Sequence, residues 1–170
     1  MFRKPTRALA PQGTTVASLL AALMLASCAH RLPGRVALGQ GEAEVLAAAG
    51  EPTARHALPA GGQRLEYAAG PMGRETWMFD LDPQGRVVGR LQVLNEAQFI
   101  ALQPGISREE LLRTLGRPAE RRPGGWQPGE VWSYRYPNND CLWFQVSLGS
   151  DDRVASGTYG NDPRCDMRLN

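Results

Sequence analysis

The sequence predicts an α+β protein made of two tandem units, each a helix–loop–helix followed by a three-stranded antiparallel sheet. Two observations predict this fold class. The chain repeats a pattern of residues at an offset of about 66 positions. Each copy also combines helix-capping signals with short strands of alternating polarity that are joined by tight turns. Because either unit alone is too small for much of a core, we expect the two to pack together.

Residues 1–27 precede the repeat and are predicted to be a cleaved signal peptide. Arg3, Lys4 and Arg7 give a positive start, and Val16–Ala26 is an uninterrupted run of apolar and small residues. Such a run spans about 16 Å as a helix, roughly half of the hydrocarbon core of a bilayer. The segment is therefore set aside from the fold as a targeting sequence.

Cys28 ends the motif Leu25-Ala26-Ser27-Cys28, which is typical of bacterial lipoproteins. This motif predicts cleavage before Cys28 and acylation of its thiol, so that the mature chain is anchored in a lipid bilayer. An Asp after the cysteine would favour inner-membrane retention in many Gram-negative bacteria, whereas Ala29 favours the periplasmic face of the outer membrane. The alternative is an ordinary signal peptide with a chance cysteine near its cleavage site.

The repeat defines two predicted units, residues 28–94 and residues 95–170. Four residues of the first unit match four of the second at one constant offset: Gly39, Val45, Gly50 and Pro52 match Gly105, Leu111, Gly116 and Pro118. Further along the chain, Tyr67 matches Tyr134, and Trp77 matches Trp143.

One helix in each unit is predicted from its capping residues. Ser107 and Glu110 form the pattern of a reciprocal capping box, and Gly116 is placed to end that helix with a positive φ. Gly41 replaces the serine in the first copy, so its helix should be slightly less stable. A second short helix is predicted at Glu96–Leu102, and its counterpart in the first unit is weakly defined.

Three strands follow the helices in each unit. Asp82-Pro83-Gln84-Gly85 is a strong turn signal between two of them. The Pro- and Gly-rich stretches at 53–63 and 119–129 are predicted to be mobile loops. The predicted strands are Arg64–Tyr67, Thr76–Leu81, Val87–Leu94, Val131–Tyr136, Leu142–Leu148 and Arg153–Thr158.

Charge and cysteine content restrict the class of protein. The leader holds three of the 19 basic residues and none of the 17 acidic ones, so the mature chain is close to neutral and nucleic acid is not an expected partner. Cys141 and Cys165 are expected to form a disulfide in an oxidising compartment. Two free thiols or a metal pair are the alternatives. Metal is disfavoured because neither His30 nor His56 has a partner at ligand spacing.

No catalytic motif is present, and no cofactor or metal is expected, so we predict that the protein is not an enzyme. Asp140, Asp151 and Asp152 are interpreted as turn and strand-end residues. The alternating Trp132, Tyr134 and Tyr136 are expected to face the core. Trp126 differs because it lies in a Gly/Pro-rich loop, where a tryptophan could anchor a protein partner.

The lipoprotein motif, the Gly-x-Ser-x-x-x-Leu and Leu-Gly-x-Pro pattern and the aromatic strands resemble the BamE (SmpA/OmlA) family of outer-membrane lipoproteins. The second copy carries the resemblance through Gly105, Ser107, Leu111, Leu115, Gly116, Pro118, Trp132 and Tyr134, and the first through Gly39, Val45, Gly50, Pro52 and Tyr67.

The resemblance implies a helix–helix–sheet fold and an accessory role in outer-membrane β-barrel assembly, with other assembly subunits as partners. The family's assembly subunit has one such unit, whereas this chain has two. Paired units also look like β-lactamase-inhibitor proteins, whose joined sheets present a concave surface to an enzyme. A periplasmic inhibitor or ligand-binding protein is therefore the alternative function.

Overall fold

A computed structural model describes residues 33–125 and 128–166. They form an α+β structure with two four-stranded antiparallel sheets and four α-helices. The helices are α1 (Glu42–Ala49), α2 (Glu96–Ala101), α3 (Arg108–Leu115) and α4 (Pro163–Asp166), with a 3-10 helix at Pro33–Arg35. The strands are β1 (Ala54–Ala57), β2 (Gln63–Ala68), β3 (Thr76–Leu81), β4 (Val87–Gln92), β5 (Glu120–Pro123), β6 (Glu130–Arg135), β7 (Leu142–Leu148) and β8 (Val154–Asn161).

Each sheet has four strands, so the prediction of three is wrong by one strand. The sheet orders are β1-β2-β3-β4 and β5-β6-β7-β8. The additional strands β1 and β5 lie in the stretches that were predicted to be mobile loops. Both are short edge strands with polar residues and, in β5, a proline. An edge strand of this kind does not need apolar alternation, so these stretches carry no strand signal of their own.

The register of the strands corrects one of the sequence matches. Tyr67 pairs with Trp77 across β2 and β3, whereas Tyr134 pairs with Phe144 across β6 and β7. Trp77 therefore corresponds to Phe144, and its match to Trp143 is wrong by one position. The reason is that the extra residue of the second half lies before β6, in the connection from β5, and not after the aromatic strand.

The helix ends follow the capping prediction in part. Ser107 Oγ accepts a hydrogen bond from the Glu110 N–H at 3.2 Å, but the Glu110 carboxylate binds Arg113 at 2.6 Å, so the box is not reciprocal. At α1 the other half of the box forms, because Glu44 Oε2 accepts from the Gly41 N–H at 2.8 Å. Gly116 ends α3 with φ +76° and ψ −164°, a region that glycine alone adopts readily.

Two clusters of buried apolar side chains lie on the helix-facing sides of the sheets. Strand β3 is buried on both faces: Phe79 and Leu81 belong to the first cluster, and Met78 belongs to the second. Trp132 and Tyr134 are fully buried in the second cluster and Tyr136 is almost so, as their alternation predicted. Among the described residues, no helix is both long and apolar enough to cross a bilayer.

Candidate functional site

Two of the predicted site residues fall outside the described residues. Cys28, the predicted lipidation site, and Trp126, the predicted anchor for a protein partner, both lie there. Their roles stay predictions. Asp140, Asp151 and Asp152 lie in turns between strands, and Asp152 has a positive φ of 60°.

Cys141 and Cys165 form the disulfide that the sequence predicted, with their Cα atoms 6.0 Å apart. The bond joins the residue before β7 to α4 near the end of the chain. The Asp162 N–H also donates to the Cys141 carbonyl at 2.8 Å, so two links close the same loop. A disulfide that closes a loop of this size stabilises a fold by about 3–4 kcal/mol, because it restricts the unfolded chain.

A buried carboxylate connects the two halves of the fold. Glu66 has no solvent exposure and lies on the face of the first sheet that points away from α1. Its Oε1 accepts from the Arg117 N–H at 2.9 Å, and its Oε2 lies 2.9 Å from His56 Nε2. The end of α3 is therefore tied to the first sheet through a carboxyl group that water does not reach. This contact is called the seam below.

Because Gly116 has no side chain, the end of α3 can approach the first sheet closely at the seam. A Cβ atom at this position would lie 2.9 Å from Glu66 Cδ and 3.0 Å from Thr76 Cγ2. On the other side, the Tyr134 hydroxyl donates to the Gly116 carbonyl at 3.2 Å. Burial raises the pKa of Tyr134 well above its ordinary value, so the phenol stays protonated as a donor.

A buried ion pair lies between the second sheet and the chain that follows it. Arg135 and Asp162 are 5% and 7% exposed and form a two-pronged pair at 2.6 and 3.0 Å. Arg135 also donates to the Pro71 carbonyl at 3.1 Å and lies over the Trp143 ring at 5.0 Å. Burial alone would raise the pKa of Asp162, but the hydrogen bonds from Arg135 and from the Arg164 N–H outweigh it and lower that pKa.

A cavity of about 150 Å³ lies between the seam and the Arg135–Asp162 ion pair. Its walls combine apolar atoms with the side chains of Glu75, Arg117 and Arg135. Within residues 33–125 and 128–166, no three His, Cys, Asp or Glu side chains come close enough together to hold a metal ion.

Charged side chains surround the Trp132 ring near the start of α3 and form a cluster with it. Arg121 lies 4.2 Å and Arg108 lies 5.2 Å from the centre of its ring. The Trp132 indole N–H donates to Glu130 at 2.6 Å, and this hydrogen bond is the largest cause of the lowered pKa of Glu130. Arg108 also pairs with Asp152 at 2.5 Å. The cluster fixes α3 on the second sheet.

An open groove of about 420 Å³ runs between α2 and the edge strand β8. The two apolar side chains at its rim are unusually exposed, Ile100 at 76% and Tyr159 at 42%. Phe99 and Phe144 lie beneath, stacked with their ring centres 4.3 Å apart. The groove is apolar and open to solvent, which suits a protein segment better than a small polar ligand.

Sequence reasoning missed Glu66 and Arg135 as structurally important residues. Both alternate with buried aromatic residues along β2 and β6, so the period-two pattern placed them on a solvent face. Their burial depends on chain segments distant in sequence, Arg117 for Glu66 and Pro71 and Asp162 for Arg135. No local signal could have revealed it.

Comparisons with known proteins give little further information. No protein-family model matches the chain, and no curated protein matches it. A solved DUF4309 family protein (YjgB) from Bacillus subtilis is 17% identical, with a TM-score of 0.29 over 72% of this chain and 79% of that chain.

An extracellular protein containing a SCP domain from Bacillus anthracis is 11% identical, also with a TM-score of 0.29, over 95% of this chain. This chain spans only 50% of the length of that protein. Neither likeness carries an argument about this chain.

Proposed function

We propose that this protein is a lipid-anchored, non-enzymatic adaptor of the bacterial outer membrane that binds other envelope proteins, in β-barrel assembly or in envelope integrity. The observation that carries the proposal is the Leu25–Cys28 motif at the end of an apolar run, ahead of two segments that repeat each other. The resemblance to the BamE family supports the assembly role.

The fold proposed with this function is a tandem pair of BamE-like units. Two equivalent hydrogen bonds support it: the Tyr67 hydroxyl donates to the Gly50 carbonyl at 2.8 Å, and the Tyr134 hydroxyl donates to the Gly116 carbonyl. The order of one eight-residue helix followed by four strands also recurs in both halves. The buried seam would hold the two units in one orientation.

A binding function is also supported by the apolar surface of the described residues. Large apolar side chains are exposed at several places, among them Met72 at 71% and Leu38 at 66%. Exposed apolar side chains that cluster beside a groove, as Ile100 and Tyr159 do, are typical of interaction surfaces.

Affinity capture from native membranes tests the proposal. The full chain is purified with a C-terminal tag after crosslinking, and its neighbours are identified by mass spectrometry. We expect a β-barrel assembly subunit at near-stoichiometric level and an acylated mature N-terminus at Cys28. The Cys28→Ser variant is the matched control and should leave the membrane fraction and lose the partner.

Two results would contradict the proposal. A mature mass without acyl chains would remove the anchor. Capture of a single soluble periplasmic enzyme, with no assembly subunit, would favour the inhibitor-like function instead.

A further inference from the structure

Strand β8 is the open edge of the second sheet. The loop before α3 covers only its first residue, because the Val154 N–H donates to the Ile106 carbonyl and the Gly105 N–H donates to the Val154 carbonyl. From 155 to 161, within the described residues, the backbone makes no hydrogen bond to any element other than its partner strand β7. Within β8 itself, the Tyr159 carbonyl accepts one long hydrogen bond of 3.5 Å from the neighbouring Thr158 hydroxyl. A row of donors and acceptors therefore faces outward along most of the strand.

The composition of β8 leaves this edge unprotected. Natural sheets guard their edges with charged residues, proline or very short strands. The eight residues of β8, VASGTYGN, contain neither a charge nor a proline. The other three edge strands differ, since β1 and β5 contain arginine and β4 contains Arg90, which donates to the Val36 carbonyl at 2.9 Å.

The groove described above runs along the same strand. Gly157 lies over the Phe144 ring, where a Cβ atom would come within 2.5 Å of Phe144 Cζ, so a side chain cannot be accommodated there without moving the ring. The absence of a side chain leaves the groove open between Ile100 and Tyr159. One apolar side chain of an added strand would point into this space.

A negative charge borders the groove. Glu96 is exposed and lies four residues before Ile100 on α2, so the two side chains are neighbours on the helix surface. Burial first, and then the Glu96 charge, raises the pKa of Tyr159, the other residue at the rim of the groove. Among the described residues, Glu96 forms no ion pair.

We infer that β8 and its groove bind an extended segment of a partner protein, which adds a fifth strand to the second sheet. The segment places an apolar side chain between Ile100 and Tyr159 and a lysine or arginine beside Glu96. This inference rests on the proposed adaptor function and specifies the site and the chemistry of the partner. A symmetric dimer that pairs β8 with β8 fits less well, because β8 has no cation to place beside Glu96.

Selection of peptides tests the inference. The full-length lipoprotein in detergent micelles is presented with a random library of linear peptides of about ten residues, the length of a long strand. We expect enrichment of peptides with alternating apolar residues and at least one lysine or arginine. Proline is then placed, in separate peptides, at each of two adjacent central positions, since only one of the two N–H groups faces β8. Proline at that position should abolish binding, because it removes a ladder donor.

Two variants distinguish the groove from other apolar surfaces. Ile100→Lys introduces a cation at an exposed position of the groove, and Val88→Lys makes the same change at a 59% exposed position on β4, the edge of the other sheet. We expect Ile100→Lys to weaken binding about tenfold or more, the size expected for losing one buried apolar side chain, and Val88→Lys to leave binding unchanged. Both positions are exposed, so folding should be preserved.

Amide hydrogen exchange reports whether a strand is added. Binding should slow the exchange of amides within residues 155–161 and leave those of 88–92 unchanged. The inference is overturned if enriched peptides tolerate proline at both central positions, bind Ile100→Lys as tightly as the parent, or leave β8 unprotected. It is also overturned if the chain alone sediments as a dimer that Ile100→Lys dissociates, because a second copy then occupies the edge.

The outcome separates this inference from the adaptor proposal. If Ile100→Lys still captures the assembly subunits from membranes, the adaptor function stands and the β8 site is wrong. If peptides bind at β8 while no envelope partner is captured, the site stands and the adaptor function fails.

Discussion

The two halves of the described chain end their longer helices in the same way, but only one of these ends is buried. Gly50 and Gly116 both have positive φ, +80° and +76°, and each carbonyl accepts a hydrogen bond from a tyrosine of its own half. Gly50 is half-buried, whereas Gly116 is buried against Glu66. The same local motif therefore serves as a simple helix end in one half and as a packing contact in the other.

The starts of these helices differ in the sign of their charge. Glu42, the first residue of α1, accepts hydrogen bonds from Arg55 and Gln63 of the first sheet. Arg108, the first residue of α3, instead donates to the acidic Glu130 and Asp152. In both halves an ion pair fixes the start of the helix on its sheet. The first helical residue therefore needs a partner of opposite charge, whichever of the two is the acid.

The largest loss of stability that the comparison predicts is for substitution of the two helix-ending glycines. Gly50→Ala and Gly116→Ala both force an alanine into a conformation that costs about 1–2 kcal/mol. Gly116→Ala also drives a methyl group into Glu66 and disturbs the buried Arg117–Glu66 hydrogen bond. We expect it to lower the free energy of unfolding by about 3–4 kcal/mol in total, measured by urea denaturation without reductant.

The matched pair makes this prediction specific. If both variants lose the same stability, the seam contributes nothing beyond backbone strain, and the close approach of Gly116 to Glu66 has no energetic consequence.

The next largest loss of stability is expected at the buried Arg135–Asp162 ion pair, which only the second half has. Asp162→Asn keeps one acceptor for Arg135 but removes the charge, and we expect a loss of about 2 kcal/mol at neutral pH. Because the folded-state pKa of Asp162 is lowered, its contribution is full above the unfolded value of about 3.9 and is lost as pH falls through the folded value. The difference between parent and variant should therefore shrink below about pH 4.

Denaturation at a series of pH values measures this difference. Glu109→Gln is a suitable control, since Glu109 is 85% exposed and its nearest ion-pair distance is 3.9 Å. Its effect should stay within about 0.5 kcal/mol. A difference for Asp162→Asn that persists unchanged to pH 2 would show that the charge of this carboxylate does not stabilise the fold.

The elements that carried their own local signals were predictable from sequence. Ser107 and Gly116 bound α3 as expected, and the Asp82–Gly85 turn separates β3 from β4. These features depend on interactions within a few residues, so the sequence alone contains the information.

Features that depend on distant pairing were not predictable. Strand β1 exists because Ala54–Ala57 pairs with Gln63–Glu66 at the sheet edge, although its own residues have no apolar alternation. The burial of Glu66 depends on α3 reaching across to the first sheet. The predicted anchor and tryptophan sites, Cys28 and Trp126, lie outside the described residues, so the structure leaves them as predictions.

The smallest effect predicted by the comparison is at the two tyrosines. Tyr67→Phe and Tyr134→Phe each remove one hydroxyl that donates to a glycine carbonyl. Tyr134 is fully buried, so Tyr134→Phe leaves the Gly116 carbonyl without a donor in a place that water cannot enter, at a cost of about 1–2 kcal/mol. The Gly50 carbonyl belongs to a half-buried residue, and water can replace the Tyr67 hydroxyl, so a loss of about 0.5 kcal/mol is expected for Tyr67→Phe.

The hydrogen-bond distances alone, 2.8 Å for Tyr67 and 3.2 Å for Tyr134, would predict the opposite order of the two losses. Measured stabilities of the two variants therefore decide whether burial or hydrogen-bond length controls the contribution of this motif.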